Sequence, residues 1–357
     1  RLMKNGIGLL NSSRTAEGAT YSRAPSYLQQ YIPPFSLWWI GMVHDYWMYV
    51  NDPAFVKEMM PGVHAVLDFY AAYQKQNGSL RRMPWWNFVD WVKQWQGGVP
   101  PSDQNGGSSA ALDLQLLMAY QWAADLEHGL GSPALAGEYG ARAENLKTAV
   151  LATDWDEARG LMADQPSHQT YSQQVNTLAV LAHAVPENPS TSQAREVVER
   201  MNDPELAQSS IYFRAYTNSM LREVGLGDRY VDMLGPWKEM LRDGLTTWSE
   251  WNGPDTRSDC HAWGASPNFE LLRTVAGIES MTPGFKRIRI APNPGRYREV
   301  TARMPHPNGT IEVKLKRQSG LDAEVTLPPD TDGEFDWAGT SHPLHAGPNH
   351  LRLPAAN

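Results

Sequence analysis

From its start to about Thr282, the chain repeats the three-and-four spacing of apolar residues that is typical of helices with one buried face. The pattern is clear between Phe55 and Gln76, and Asn77-Gly78 predicts the end of that helix. The same spacing predicts further helices over Ser109–Leu130, Glu138–Leu151, Ser172–Ala184, Ser192–Met201, Ser209–Val224, Arg229–Leu241 and a last one that ends at Ala276. Connectors rich in Gly, Pro, Asn and Asp separate these segments.

Many amphipathic helices in series, joined by alternating short and long connectors, favour helix hairpins arranged in a ring. No sequence repeat of fixed period is visible, which argues against a tandem solenoid. The sequence therefore predicts a mainly α fold, a toroid of helix hairpins.

The pattern of apolar and polar residues changes after Gly284. From there on, apolar and polar positions alternate in short segments separated by turn residues. This alternation predicts strands over Lys286–Ala291, Arg298–Met304, Gly309–Lys316 and Ala323–Leu327. We interpret them as a small antiparallel β-sandwich that stabilises the protein and carries no catalytic cluster. The predicted domains are thus a helical catalytic domain over residues 1–283 and a β-sandwich domain over residues 284–357.

The composition narrows the classes of partner. The net charge of −8 offers no basic face for nucleic acid and no polybasic run for anionic lipid. The most apolar stretch, Phe35 to Val50, is interrupted by His44 and Asp45, so we expect no membrane segment. The 14 tryptophans and 14 tyrosines are numerous enough to fill a core and also to stack on sugar rings.

Cys260 is the only cysteine, which excludes an intramolecular disulfide and a multi-cysteine zinc site. We expect it to be a buried structural residue. No His-x-x-x-His motif or clustered carboxylate spacing appears, so we predict no cofactor and no obligatory metal ion.

The first candidate site combines a carboxylate with indoles in the segment Arg82–Trp91. Asp90 could accept hydrogen bonds from sugar hydroxyls while Trp85, Trp86 and Trp91 cover the C–H surface of the ring. The alternative is a buried aromatic cluster in which Asp90 caps a helix or pairs with an arginine.

The second candidate site is centred on Glu250, which lies between Trp248 and Trp251. A glycosidase needs one carboxyl group to protonate the leaving oxygen and another to activate water or attack the anomeric carbon. Glu250 is a candidate general base, and Trp248 is a candidate sugar contact. His261 is a candidate to orient the water or bind a hydroxyl, with a structural histidine as the alternative.

The chain contains the distinctive stretches Thr246–Gly253, Ser258–Pro267, Thr274–Ile278 with Pro283–Pro292, Tyr31–Gly41 and Trp86–Trp91. Together they resemble the catalytic domain of bacterial α-L-rhamnosidases of glycoside hydrolase family 78. The resemblance covers nearly the whole chain. It implies an (α/α)6 barrel, an inverting mechanism and a terminal α-linked L-rhamnose as the sugar released.

Residue by residue, the resemblance assigns three kinds of role. Glu250 matches the glutamate that acts as general base on the attacking water. His261 matches the following histidine that contacts the sugar. Asp90, with Trp86 and Trp91, matches the Asp-Trp segment that lines the rhamnose pocket.

One part of the family pattern is missing. In the family, the general acid glutamate and two companion aspartates precede the segment that resembles residues 1–10. The chain is therefore expected to be a fragment of a longer enzyme, with its toroid incomplete at the N-terminus; the alternative is a natural protein that lost its acid. Loss of general acid assistance costs roughly 10²–10⁴-fold in rate, so the chain by itself is expected to be nearly inactive.

Two rival functions stay open. One is a six-hairpin glycosidase that acts on a different sugar, because a fold does not fix a substrate. The other is a non-catalytic carbohydrate-binding protein that kept the pocket. The sequence leaves the oligomeric state open, and the compartment too: periplasmic, secreted or cytoplasmic in a bacterium.

Overall fold

The computed structural model describes residues 1–103, 106–186, 192–251, 253 and 255–355. It divides into two compact units. Unit 1 comprises residues 1–47 and 52–220, and unit 2 comprises residues 48–51 and 221–357.

Helices dominate the first part of the chain, as the apolar spacing predicts. The α-helices are α1 Leu2–Ser12, α2 Pro33–Tyr49, α3 Pro53–Ala71, α4 Ala110–Leu130, α5 Pro133–Asp154, α6 Gln173–Leu181, α7 Gln193–Glu199, α8 Arg214–Glu223, α9 Gly235–Arg242 and α10 Ser266–Glu270. Ser132, Ser172 and Ser192 cap three of them by accepting a hydrogen bond from a first-turn amide. None of the helices in the described ranges combines the length and apolar character needed to cross a bilayer.

The predicted C-terminus of the helix over Phe55–Gln76 is wrong. Helix α3 stops at Ala71, and the chain then makes a tight turn in which the Lys75 amide donates to the Ser79 carbonyl at 2.7 Å. Gly78 lies inside this turn with φ of +90°, a conformation that glycine adopts without strain. Asn77-Gly78 is thus a turn signal and not a helix cap.

Two later helices also differ from the prediction. The segment predicted as one helix over Arg229–Leu241 is a 3₁₀ helix over Gly227–Leu234 followed by α9, whose first turn contains Pro236. Proline tolerates a first turn, where its missing N–H has no intrahelical partner. The last helix is α10 continued by a π turn over Leu271–Val275.

Helix α4 runs through the core of unit 1. Every residue from Ala110 to Tyr120 is buried, so this part of the helix has no solvent face. The buried carboxylate of Asp113 accepts a hydrogen bond from the Leu80 amide at 2.8 Å, and burial raises the pKa of Asp113 well above its usual range. The interior of unit 1 therefore contains an ionisable carboxyl group, that of Asp113, among apolar side chains.

A pH dependence follows from Asp154, the last residue of α5, which is 3% exposed. Burial raises the pKa of Asp154 to about 6, above its ordinary value of 3.8. The folded state binds the proton of Asp154 more tightly than the unfolded state does. Protonation of Asp154 therefore stabilises the fold below pH 4, and this stabilisation is lost as the pH rises through about 6. We expect the free energy of unfolding of Asp154→Asn, relative to wild type, to rise by up to roughly 3 kcal/mol between pH 4 and pH 7.

The measurement is urea unfolding at both pH values. Glu144→Gln, which replaces an exposed carboxylate on the same helix, is the matched control. Equal behaviour of the two variants would contradict the assignment.

Unit 2 contains a six-stranded sheet in the order β3-β4-β7-β6-β5, with β8 paired to β7. A separate two-stranded sheet in unit 1 pairs β1 with β2. The strands are β1 Trp155–Asp156, β2 Leu161–Met162, β3 Ile278–Ser280, β4 Arg287–Ile290, β5 Glu299–His306, β6 Gly309–Arg317, β7 Gly320–Trp337 and β8 Thr340–Pro354. The predicted β-rich C-terminal part is confirmed. The sheet is not wholly antiparallel, because β4 pairs with β7 in parallel, with Ile288 opposite Gly333.

Alternation along the strands builds the core of unit 2. In β6, Ile311, Val313 and Leu315 are buried, and the residues between them are more exposed. A period of two places successive side chains on opposite faces of a sheet, so one face of β6 is buried and the other is wet.

Candidate active site

Asp90 is fully buried in unit 1, with 0% exposure. Its carboxylate accepts hydrogen bonds from the Gln174 side-chain amide at 2.6 Å, the Ser210 backbone amide at 2.9 Å and the Trp91 backbone amide at 2.9 Å. The Ser210 hydroxyl also donates to it. Asp90 thus ties the connector after α3 to the segments around α6 and α8.

Two opposing effects act on this carboxyl group. Burial raises the pKa of Asp90, and the hydrogen bonds from Ser210, Gln174 and Trp91 act in the other direction. The connector closes on itself beside it, since the Val89 amide donates to the Gly98 carbonyl at 2.9 Å. A Cβ at Gly98 would lie 2.5 Å from the Phe88 ring, so only glycine fits this approach.

The two predicted tryptophans of this segment lie together. The rings of Trp86 and Trp91 are 5.9 Å apart, and both are half-buried. The Trp86 indole N–H donates to the Gly97 carbonyl at 2.8 Å. Phe88 packs between Trp91, at 4.9 Å, and Tyr212, at 6.2 Å. The result is an aromatic cluster with partly exposed ring surface.

Glu250 lies in unit 2, on a loop held by ladder-like hydrogen bonds. The Glu250 amide donates to the Ser258 carbonyl at 2.9 Å, and the His261 amide donates to the Trp248 carbonyl at 2.8 Å. The Thr247 hydroxyl donates to the Asp259 carbonyl. These bonds fix the residues around Glu250 against those around His261. Asn252, in the stretch quoted above, lies outside the described residues.

The carboxylate of Glu250 is buried and ion-paired. Glu250 is 1% exposed, and both of its oxygens accept from the Arg257 guanidinium, with Nε 3.0 Å from Oε2 and Nη2 bonded to Oε1. Arg257 itself keeps 64% of its side chain exposed. A two-point guanidinium–carboxylate contact fixes the plane of the carboxylate as well as its position.

Two aromatic rings accompany this loop. The rings of His261 and Trp263 are 4.3 Å apart, and the Trp263 indole N–H donates to the Glu250 carbonyl at 3.4 Å. His261 and Trp248 are both half-buried. Trp263 therefore braces Glu250 and His261 together.

Cys260 is exposed, so the prediction of a buried structural cysteine is wrong. The short loop from Glu250 to His261 places it at the surface, between residues whose backbones pair with the other side of the loop. Within the described ranges, no group of three or more His, Cys, Asp or Glu residues is arranged to hold a metal ion.

Comparison with known protein families identifies the family of this chain. Residues 1–275 match the model of the bacterial α-L-rhamnosidase six-hairpin glycosidase domain, and residues 277–350 match that of the bacterial α-L-rhamnosidase C-terminal domain. The chain belongs to the bacterial α-L-rhamnosidase family. No curated protein matches its sequence.

Solved rhamnosidase structures share the fold. The glycoside hydrolase family 78 rhamnosidase of Bacillus sp. GL1 superimposes with a TM-score of 0.83 at 23% identity, over 94% of this chain and 36% of its own. The α-L-rhamnosidase of Dictyoglumus thermophilum gives 0.79 at 16% identity, over 98% and 43%. The Streptomyces avermitilis α-L-rhamnosidase complexed with L-rhamnose gives 0.74 at 17%, over 99% and 35%. This chain thus spans less than half the length of these proteins.

The structure groups the predicted site residues into two sets. Asp90, Trp86 and Trp91 lie in unit 1, and Glu250, Trp248 and His261 lie in unit 2. Arg257, Ser210 and Tyr212 carry no motif or spacing that would single them out from the sequence alone. Arg257 stands seven residues from Glu250, a spacing at which a loop can return, but Ser210 is 120 residues from Asp90 and no local pattern joins them.

Proposed function

We propose that this rhamnosidase-family chain removes terminal α-L-rhamnose from glycosides or polysaccharides with inversion, and that Glu250 is its general base. In this mechanism Glu250 takes a proton from a water molecule as that water attacks the anomeric carbon. We assign the partner general acid to the motif that, in the family, lies upstream of the segment resembling residues 1–10.

The observation that carries this proposal is the buried Glu250 carboxylate, ion-paired with Arg257. An ion pair is made by the carboxylate anion, which is the protonation state that a general base requires. The two-point contact orients the carboxylate and still leaves lone pairs on its oxygens for a water molecule.

We assign sugar-binding side chains in each of the two units. In unit 1, Trp86 and Trp91 offer partly exposed indole faces, which suit the C–H surface of a pyranose. In unit 2, His261 and Trp248 accompany Glu250, and we assign His261 to a sugar hydroxyl. Asp90 shapes the rhamnose pocket by ordering Trp91 and Ser210, both of which it binds. The Streptomyces relative is complexed with L-rhamnose, which supports this choice of sugar.

We also propose the architecture of each part of the fold. We assign the helices to an (α/α)6 toroid and the unit 2 sheet to a sandwich. Support for the sandwich comes from a break in register between Leu327 and Asp332, which divides β7 and β8 into two halves. Buried residues of both halves, Val325 and Phe335 among them, belong to one hydrophobic core. All residues assigned to catalysis and sugar binding precede residue 284, in keeping with the division into 1–283 and 284–357.

The direct test is hydrolysis of p-nitrophenyl α-L-rhamnopyranoside beside a panel of other aryl glycosides. The assay uses the protein expressed from its native start codon, so that any segment preceding residue 1 is present. Turnover of the rhamnoside alone supports the proposal, and turnover of another glycoside alone indicates a six-hairpin glycosidase of different specificity. Rhamnose binding without turnover of any glycoside indicates a carbohydrate-binding protein.

Arg257→Met is expected to lower kcat for the aryl rhamnoside by roughly 10- to 100-fold with a smaller change in KM. The variant removes the contact that holds the Glu250 carboxylate in place, and small displacements of a catalytic group are costly. Steady-state kinetics measures the effect, with thermal unfolding recorded in parallel.

Arg257→Lys should recover only part of the rate, because an ammonium cannot make the planar two-point contact. The matched control is Arg242→Met, an exposed arginine on α9 whose side chain is 73% exposed. Full activity in Arg257→Met would remove this residue from the mechanism.

A further inference from the structure

A cavity of about 290 Å³ lies in unit 2, between the connector from β4 to β5 and the end of β6. Its volume is just below the range of about 300–1,000 Å³ that is usual for drug-sized ligands, so it suits a smaller one. The described residues that line it all belong to unit 2, and none of them carries a carboxylate. They are Gly295, Arg296, Tyr297, Arg298, Arg317 and Gln318.

The lining concentrates positive charge in a chain whose net charge is −8. Arg296 pairs at 3.1 Å with Asp232, which is outside the lining, and the two side chains are 60% and 67% exposed. Water screens such an exposed pair, so it offsets little of the arginine's charge. Arg298 and Arg317 form no ion pair with any carboxylate in the part of the chain that the structure describes.

Two acidic residues close to the cavity contact or oppose other groups. Asp228 accepts a hydrogen bond from the Gly295 amide at 2.6 Å, which anchors the connector. Glu299, the residue after Arg298, begins β5 and lies opposite Lys316 of β6. The positive charge of the lining is therefore not balanced from within the cavity.

Hydrogen bonds hold two of the arginines in place before any ligand binds. The Arg317 amide donates to the Arg298 carbonyl at 2.8 Å, which fixes the two backbones side by side. The Arg317 guanidinium donates through Nη1 to the Gly295 carbonyl at 2.5 Å. A guanidinium has several N–H donors, so this bond leaves others for a ligand.

Cations gathered around a concave surface repel one another, and the low-dielectric walls concentrate their potential, so a bound anion is favourable there. Guanidinium groups match the oxygens of a phosphate in two-point contacts. We propose that this cavity binds a phosphate group. Its charge of about −2 at pH 7.5 offsets more of the positive charge of the lining than a single carboxylate does.

The phosphate group could be free inorganic phosphate or part of a small organic monoester. Tyr297, which is 41% exposed in the same lining, offers an aromatic ring on which an organic substituent could pack. None of the residues assigned to catalysis or sugar binding lines the cavity, so this site is separate from them and independent of the proposed rhamnosidase function.

Calorimetric titration of the full chain with inorganic phosphate, at pH 7.5 and constant ionic strength, tests the proposal. Arg298→Gln is expected to weaken phosphate binding by roughly tenfold, the usual weight of a hydrogen bond to a charged group. The matched control is Arg352→Gln, which removes the same charge from an exposed arginine on β8, outside the lining, and should bind phosphate as wild type does. Thermal unfolding in phosphate-free buffer checks that both variants are folded.

Phenyl phosphate then distinguishes the two sources of the phosphate group. Tighter binding of phenyl phosphate than of inorganic phosphate indicates an organic monoester, and Tyr297→Ala should remove that difference. Equal or weaker binding of phenyl phosphate indicates free phosphate. Wild-type protein that does not bind phosphate, or phosphate binding that Arg298→Gln weakens no more than Arg352→Gln does, overturns the assignment whether or not rhamnosides are hydrolysed.

Discussion

Glu250→Gln is expected to lower kcat for p-nitrophenyl α-L-rhamnopyranoside by roughly 10²–10⁴-fold, the usual weight of general base catalysis. The amide keeps the shape of the side chain but cannot accept a proton from the attacking water. Substrate binding does not require that proton transfer, so KM should change far less than kcat. Steady-state kinetics on the protein from its native start codon measures both.

The matched control is Glu239→Gln, a half-exposed glutamate on α9 in the same unit, which should retain wild-type kcat. Stereochemistry adds an independent check. Inversion releases β-L-rhamnose first, and proton NMR follows the anomers before they equilibrate. A first product with the α configuration, or wild-type turnover in Glu250→Gln, would remove Glu250 from the general-base role.

Periodicity predicts the helices well where tertiary context agrees with it. Helix α4 is found within one residue of its prediction because a Gly follows it and apolar residues recur along it at helical spacing. The C-terminus of α3 is mispredicted because Asn77-Gly78 suits a turn equally well, and only the pairing of Lys75 with Ser79 decides between the two. Strand β8 was not predicted, since few of its residues besides Leu344 are buried and its alternation is weak.

The site was predictable to the extent that its residues are close in sequence. Glu250 and His261 are joined by a short loop, and the quoted motifs point to both. Asp90 illustrates the limit, because its partners Gln174 and Ser210 are distant in sequence and are brought to it only by the tertiary fold. The sequence left Asp90 between a sugar ligand and a buried capping residue, and the contacts of its carboxylate favour an organising role.

Asp90→Ala is expected to destabilise the fold by about 3–5 kcal/mol, the usual cost of removing one partner from a buried charged network. The carboxylate accepts from Gln174, from both donors of Ser210 and from the Trp91 amide, and the variant leaves all of them buried without this acceptor. Trp91 would lose the bond that orders its backbone. Urea unfolding measures the change in free energy, and rhamnose binding to the folded variant measures the effect on the pocket.

Ser210→Ala removes only one hydroxyl donor from the same carboxylate and should cost about 1 kcal/mol. The ratio of these two costs separates an organising Asp90 from a direct sugar ligand. A sugar ligand held open to solvent would be nearly neutral for stability when replaced, and its loss would fall on affinity. Wild-type stability in Asp90→Ala together with abolished rhamnose binding would therefore show that Asp90 contacts the sugar, against the buried, fully engaged carboxylate described above.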